Sequence, residues 1–222
     1  MKDYIAEKVS NTTRFFKFGN IEVEEQEPTP SSVNLPAIFK AVEDNLPGHY
    51  FKDLRAVKIG NFADLQNKNF SALYDDGIFY INHQQPDSQS ILNDVVHEFA
   101  HHLEAVYTDV VYGDKKIVEE FIKKRLQLKF ELQTEGYWVD EYDFREIKYN
   151  EKFDKLLYKR VGKNMLNMAT TGLFIRPYAS ISLREYFATG FEAYYLGKRE
   201  ELEKISPTLY NKITEVHNYS IN

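Results

Sequence analysis

The stretch from Pro86 to Val106 constrains this chain more than any other. Ile91, Leu92, Val95, Val96, Phe99, Leu103 and Val106 recur at helical spacing. Pro86-Asp87-Ser88 opens the run with a proline and two residue types that cap helix N-termini. A helix this apolar has to be covered by other elements. Yet it also carries His97, Glu98, His101 and His102, and buried polar groups are costly unless they are partnered. Whatever covers the helix must therefore also accommodate its polar side chains.

The flanking sequence supplies a small sheet before this helix and further helices after it. Arg55–Ile59 alternates like a strand. Residues 70–74 and Ile78–Asn82 read as two strands joined by an Asp75-Asp76-Gly77 turn. A helix is predicted over 33–45, closed by Leu46-Pro47-Gly48. After the long helix, helical stretches are predicted over about 114–135 and 150–168, from Ser182 onward, and from Pro207 onward. The fold class expected is α+β, predominantly helical, with a small antiparallel sheet. Residues 1–30 read as an N-terminal arm and an acidic, Pro-containing linker (Glu22 to Ser32), able to dock on a larger assembly. Residues 31–222 then form the main domain.

Composition excludes several function classes. The formal net charge is −6, which argues against nucleic acid, since phosphate binding needs a surplus of Lys and Arg. There is no cysteine, so thiol nucleophiles, disulfide scaffolds and cysteine zinc sites are excluded. No stretch approaches the roughly 20 apolar residues of a membrane span, and Met1–Ile5 lacks the apolar core of a Sec signal peptide. The expectation is a complete, unprocessed chain with no membrane partner. It would be cytoplasmic, part of a viral particle, or exported by a non-classical route.

The chemistry centres on His97-Glu98-Phe99-Ala100-His101. Two histidines at i and i+4 share a helix face, so both imidazoles can bind one metal ion. Glu98 is turned by about 100° from His97, where a carboxylate can act as a general base on water. Zinc suits such a set, because it accepts imidazole nitrogen and lowers the pKa of its water toward about 7. One Zn2+ per chain is expected, with His97 and His101 as ligands.

A hydrolytic zinc needs a third protein ligand, and three places in the sequence offer one. Glu119 or Glu120 follows His101 at nearly the thermolysin-like spacing, or else forms the wet side of a charged helix. Asp109, in Asp109-Val110-Val111-Tyr112-Gly113, is similar to the ligand motif of the aspzincins, or is a turn residue. Glu185 opens another helix, where a carboxylate is also favoured by the helix dipole.

His-Glu-Phe-Ala-His at 97–101, followed by Arg184-Glu185-Tyr186-Phe187-Ala188-Thr189-Gly190-Phe191, resembles the lethal factor and Pro-Pro endopeptidase family of gluzincins. The resemblance covers about residues 70–106 and 176–215. It implies a zincin-like metallopeptidase fold, with Glu185 as third ligand. It also implies Tyr178, seven residues before Glu185, as a catalytic tyrosine stabilising the oxyanion. The chain departs from the family in three places. His101 and Glu185 are further apart than usual, so about 107–175 reads as a helical insertion anchored by Trp138. His102 follows the second histidine where the family has a small residue, and Thr189 replaces a second acidic residue. The metzincin pattern fails, because Glu104 and Tyr107 stand where it requires Gly and His.

The function so implied is a zinc metalloendopeptidase: His97, His101 and Glu185 hold the metal, Glu98 is the general base, and Tyr178 is the oxyanion donor. The substrate would be an extended peptide or protein, added as a strand to a free edge at Ile78–Asn82. Glu104 or Asp94 would orient a ligand histidine. His102 is expected to pack locally and His83 to sit in a loop, while His49 and His217 carry no signal. The alternative is a structural or assembly protein, such as a viral particle component, retaining the fold with little or no activity.

Overall fold

A five-stranded sheet and a series of helices make up residues 13–68 and 70–219, the part of the chain that the computed structural model describes. The arm before residue 13 lies outside the described residues. The fold is α+β and mostly helical. It divides into two compact units, Met1–Val106 and Tyr107–Asn222.

The first unit holds the sheet. Its strands are β1 (Arg14–Phe18), β2 (Ile21–Glu25), β3 (Ala56–Gly60), β4 (Ala72–Asp75) and β5 (Ile78–Asn82). They lie in the order β1-β2-β3-β5-β4. The sheet is mixed rather than antiparallel: β1–β2 and β4–β5 are antiparallel, whereas β2–β3 and β3–β5 are parallel. Loop length decides this. Two-residue connections, Gly19-Asn20 and Asp76-Gly77, join the antiparallel pairs, and positive φ at Gly19 (55°), Asp76 (42°) and Gly77 (76°) suits tight hairpins. Longer connections join the parallel pairs. They contain helices α1 (Leu35–Asn45) and α2 (Ala63–Lys68).

The placement of 1–30 in an arm and linker therefore meets a different structure over residues 14–25. The acidic run alternates, with Ile21, Val23 and Glu25 buried and Glu22 and Glu24 turned outward or half-buried. Glu25 is tolerated inside because Arg14, its cross-strand partner, bonds it at 2.6 Å, and Thr29 donates through N at 2.9 Å. Burial raises the Glu25 carboxyl, but these bonds outweigh it and hold the group below the ordinary glutamate value.

The expected free edge at Ile78–Asn82 is also corrected. This strand lies between β3 and β4, and the outer strands are β1 and β4. Helix α3 (Ser88–Val106) packs on this sheet together with α1. Asp87 caps it, accepting from Ser90 N at 2.8 Å.

The second unit contains α4 (Thr108–Tyr112), α5 (Lys116–Thr134), α6 (Glu151–Lys155), α7 (Lys163–Thr170), α8 (Leu183–Tyr195), α9 (Arg199–Ile205) and α10 (Pro207–His217). The single helix expected over 150–168 is instead α6, a π-helical turn over Leu156–Val161, and α7, with Gly162 at φ 81° forcing the break. Trp138 does not anchor this segment, being 64% exposed. Buried Val139 and Phe144 sit there instead.

Helix α5 turns Ile117, Phe121, Leu128 and Leu132 inward, along with Arg125. That guanidinium stacks 3.7 Å above the Phe153 ring, near Phe121 and Phe144. It donates to the carbonyls of Glu146 (3.2 Å) and Asp143 (3.4 Å). Burial brings its pKa down to about 10, so it stays charged at neutral pH and serves as a cationic peg for the 143–146 loop.

Helices α8 and α10 meet at Gly190. A Cβ added there would lie 2.3 Å from Leu209 Cδ2 and 2.9 Å from Leu209 Cγ. Gly190→Ala should therefore destabilise the protein by roughly 1–3 kcal/mol, an overpacking cost. Urea unfolding would show it as a lower midpoint, and the Gly190→Ala/Leu209→Ala double variant should lose less than the sum of the two single losses, because the second change removes the clash.

Candidate metal centre

In the first unit, Phe99 sets the roll of α3. Its ring packs 4.9 Å from Phe79, 5.3 Å from Phe51 and 6.2 Å from Phe18, measured between centroids. Successive residues advance by about 100° on a helix. His97 lies two residues before Phe99 and His101 two after it, so both turn to the opposite face. Their rings sit 4.8 Å apart, nearly perpendicular. Glu98 is 4% exposed.

The two histidines differ in surroundings. His101 is buried, and its Nδ1 lies 2.8 Å from Glu104 Oε2. The carboxylate accepts the Nδ1 proton, which fixes the tautomer and leaves Nε2 as a lone-pair donor. Of Glu104 and Asp94, Glu104 is the carboxylate bonded to His101. Asp94 accepts from Ser71 Oγ (3.1 Å) and Gln85 Nε2 (2.5 Å), tying α3 to the residues flanking β4 and β5. His102 is fully buried, and its ring nitrogen Nε2 lies 2.8 Å from the Lys52 carbonyl. Burial pushes its pKa down, so the ring is neutral and donates through Nε2. It stacks edge-on with Tyr74 at 5.5 Å, a fold-holding role reached across 50 residues rather than locally. His83 touches the Pro28 carbonyl at 3.1 Å through Nδ1, a loop contact.

In the second unit, Ser182 caps α8 by accepting from Glu185 N at 3.2 Å. This places Glu185 in the first helical turn, half-buried. Thr189, which stands in place of a second acidic residue, donates to the Glu185 carbonyl at 2.8 Å. The backbone N–H of Leu183 donates to Ile147 O at 2.8 Å, so the 143–147 loop holds the start of this helix. Tyr178 lies in a one-turn 3-10 helix, Pro177–Ser180, half-buried. Burial, and next the charge of Glu185, raise its hydroxyl pKa well above the ordinary value. The hydroxyl stays protonated and able to donate.

The other ligand candidates are engaged or exposed. Glu120 accepts from Tyr186 Oη (2.8 Å), Thr208 N (3.1 Å) and Leu209 N (3.0 Å), and so caps the start of α10. Glu119 is exposed. Asp109 is exposed in the first turn of the five-residue α4. Among the described residues, His97, His101 and Glu185 are the group that could hold a metal ion. One ligand atom from each lies within 4.8 Å of the others. Two imidazoles and one carboxylate are a donor set that suits zinc.

Three residues carried no sequence signal. Tyr158 sits in the π-turn, and burial raises its hydroxyl to about 12, with the charges of Asp154 and Glu185 adding and Arg176 opposing. Arg176 and Glu192 form an ion pair beside the Tyr178 turn.

No protein-family model, curated protein or solved structure matches the chain.

Zinc titration against a competing chelator should give one site per chain in wild type and none in His97→Ala. Glu185→Gln should lose stoichiometric zinc, while Asp109→Asn and Glu119→Gln keep it. Glu104→Gln should weaken affinity about 10- to 100-fold. Retention in Glu185→Gln with loss in Asp109→Asn would transfer the third ligand to Asp109.

Proposed function

We propose that this protein is a zinc-dependent endopeptidase with a zincin-like fold, related in its site to the lethal factor and Pro-Pro endopeptidase family. The observation that carries the proposal is the donor set itself: His97, His101 and Glu185 offer ligand atoms close enough for one ion. The hydrogen bond from His101 to Glu104 is further support, since ligand histidines usually have such a carboxylate behind them.

A zinc ion held there would supply Lewis-acid polarisation of a peptide carbonyl and would lower the pKa of a water molecule. Glu98 follows His97 directly and is almost fully buried. Its carboxylate takes a proton from the attacking water and later delivers it to the leaving amine. Tyr178, protonated throughout, donates a hydrogen bond to the carbonyl oxygen as negative charge develops there. Glu104 keeps the His101 imidazole in the tautomer that presents Nε2. The peptide bond breaks, one water is consumed, and the proton balance closes through Glu98.

The substrate of this reading is an extended peptide. With β5 enclosed between β3 and β4, the outer strand beside it among the described residues is β4, and the outer N–H and C=O groups of such a strand can pair with another chain. No helix among the described residues is long and apolar enough to cross a membrane.

A peptide library incubated with and without chelator tests the function. Wild type should cleave, and chelation should stop it. Glu98→Gln should keep its zinc and lose at least about 100-fold in rate. Tyr178→Phe should also keep its zinc and lose about 100-fold in kcat with little change in KM, the effect of one missing oxyanion donor. Zinc-loaded wild type that cleaves nothing in a broad library would instead favour an assembly role.

A further inference from the structure

Glu192 is a buried carboxylate, its side chain 10% exposed. It stands seven residues after Glu185 on α8, and seven residues are about 1.9 turns, so both carboxylates project from the same face of this helix. A carboxylate in that position needs a charged partner, and Arg176 provides it through Nη2. Arg176 is itself extended (φ −151°, ψ 157°) and immediately precedes Pro177. The ion pair therefore draws the incoming chain across the face of α8 that carries Glu185. The one-turn helix with Tyr178 begins at the next residue.

Other contacts hold the turn at both ends: before it Phe174 is buried with its ring 5.9 Å from that of Tyr186 on α8, and Lys124 donates to Leu173 O at 2.8 Å. Ala179 and Ile181 are buried, and Ser180 Oγ donates to Pro177 O at 2.7 Å. Ser182 then caps α8. On the near side the 3-10 bonds Ala179 N to Arg176 O (3.1 Å) and Ile181 N to Tyr178 O (3.2 Å) close the turn, but they do not attach it to the helix.

We infer that Arg176, through its ion pair with Glu192, is a positioning residue for the Tyr178 hydroxyl. The guanidinium charge also reaches that hydroxyl, where it works against burial and against the charge of Glu185. The part played by Tyr178 in catalysis rests on the peptidase reading, whereas the clamping of its turn does not.

Two arms of one experiment separate these. The first is hydrogen exchange of the metal-free protein at the Ala179 and Ile181 amides, with the central α8 amides of Phe187 and Phe191 as internal reference. Arg176→Met keeps the aliphatic stem and removes the charge. It should lower protection at Ala179 and Ile181 about 10-fold or more, leave Phe187 and Phe191 unchanged, and be partly rescued by Arg176→Lys. Glu192→Gln should reproduce the pattern. Unchanged protection at the two turn amides, or an equal loss along all of α8, overturns the inference.

The second arm is kinetic. Arg176→Met should keep its zinc and lose about 10- to 100-fold in kcat with KM unchanged, the range for a misplaced catalytic group. In a Tyr178→Phe background it should cost little more, because the group being positioned is already gone. Full multiplication of the two losses overturns the inference. If wild type cleaves nothing, the peptidase reading fails, and the exchange data alone decide whether the clamp exists.

Discussion

Burial of Phe99 against Phe79, Phe51 and Phe18 fixes the roll of α3 about its own axis, and the candidate site depends on that roll. Deleting a ring of this kind costs about 3–5 kcal/mol, more than any one polar contact of the helix can return. The aromatic cluster therefore dictates which residues face away from the sheet: His97 and His101 follow from Phe99 by helix geometry alone. Polar groups are then added where the apolar packing leaves room for them. Glu104 satisfies His101, and the Lys52 carbonyl satisfies His102. Asp94 ties the helix to the ends of neighbouring strands.

The second unit meets a different requirement, that of holding a helix N-terminus and an adjoining turn steady. Ser182 caps α8, and Ile147 O accepts from Leu183 N one residue later. The loop containing Ile147 is in turn pinned by Arg125, which binds the Glu146 and Asp143 carbonyls from within a box of phenylalanine rings. Glu120 receives the Tyr186 hydroxyl and two backbone N–H groups at the start of α10. The 107–175 segment thus acts as the scaffold for the Glu185 helix rather than as an appendage to it. Charged groups of α5 that look like a solvated face in sequence, Glu120, Lys124 and Arg125, point inward to do this. Lys124 bonds the carbonyls of Leu173 and Ile205.

The long helix, its cap, the α8 helix with Ser182, and the hairpin around Asp76-Gly77 were legible in the sequence because each depends on local rules. So was the pairing of His97 with His101, which is a matter of spacing. The β1–β2 hairpin was not, although Gly19-Asn20 marks its turn. A run of glutamates reads as solvated linker unless Arg14 is known to sit opposite Glu25, and that is a cross-strand fact. The same holds for the interior place of β5. Its sequence is that of any half-buried strand, and only the parallel pairing with β3 takes away its edge. Arg176 and Glu192 meet through the path of the chain, for which spacing carries no signal. Trp138 illustrates the converse, since a large aromatic suggests an anchor and yet stands in solvent.

X-ray absorption at the zinc edge of the purified, zinc-loaded protein tests the central claim most directly. Two imidazole nitrogens at about 2.0–2.1 Å and one carboxylate oxygen at about 2.0–2.2 Å are expected, in a four-coordinate shell completed by one further light atom. Glu185→Gln, which loses stoichiometric zinc, should not give this spectrum under the same loading. A wild-type spectrum with six light-atom neighbours and no imidazole scattering, or one unaltered by Glu185→Gln, would contradict that claim.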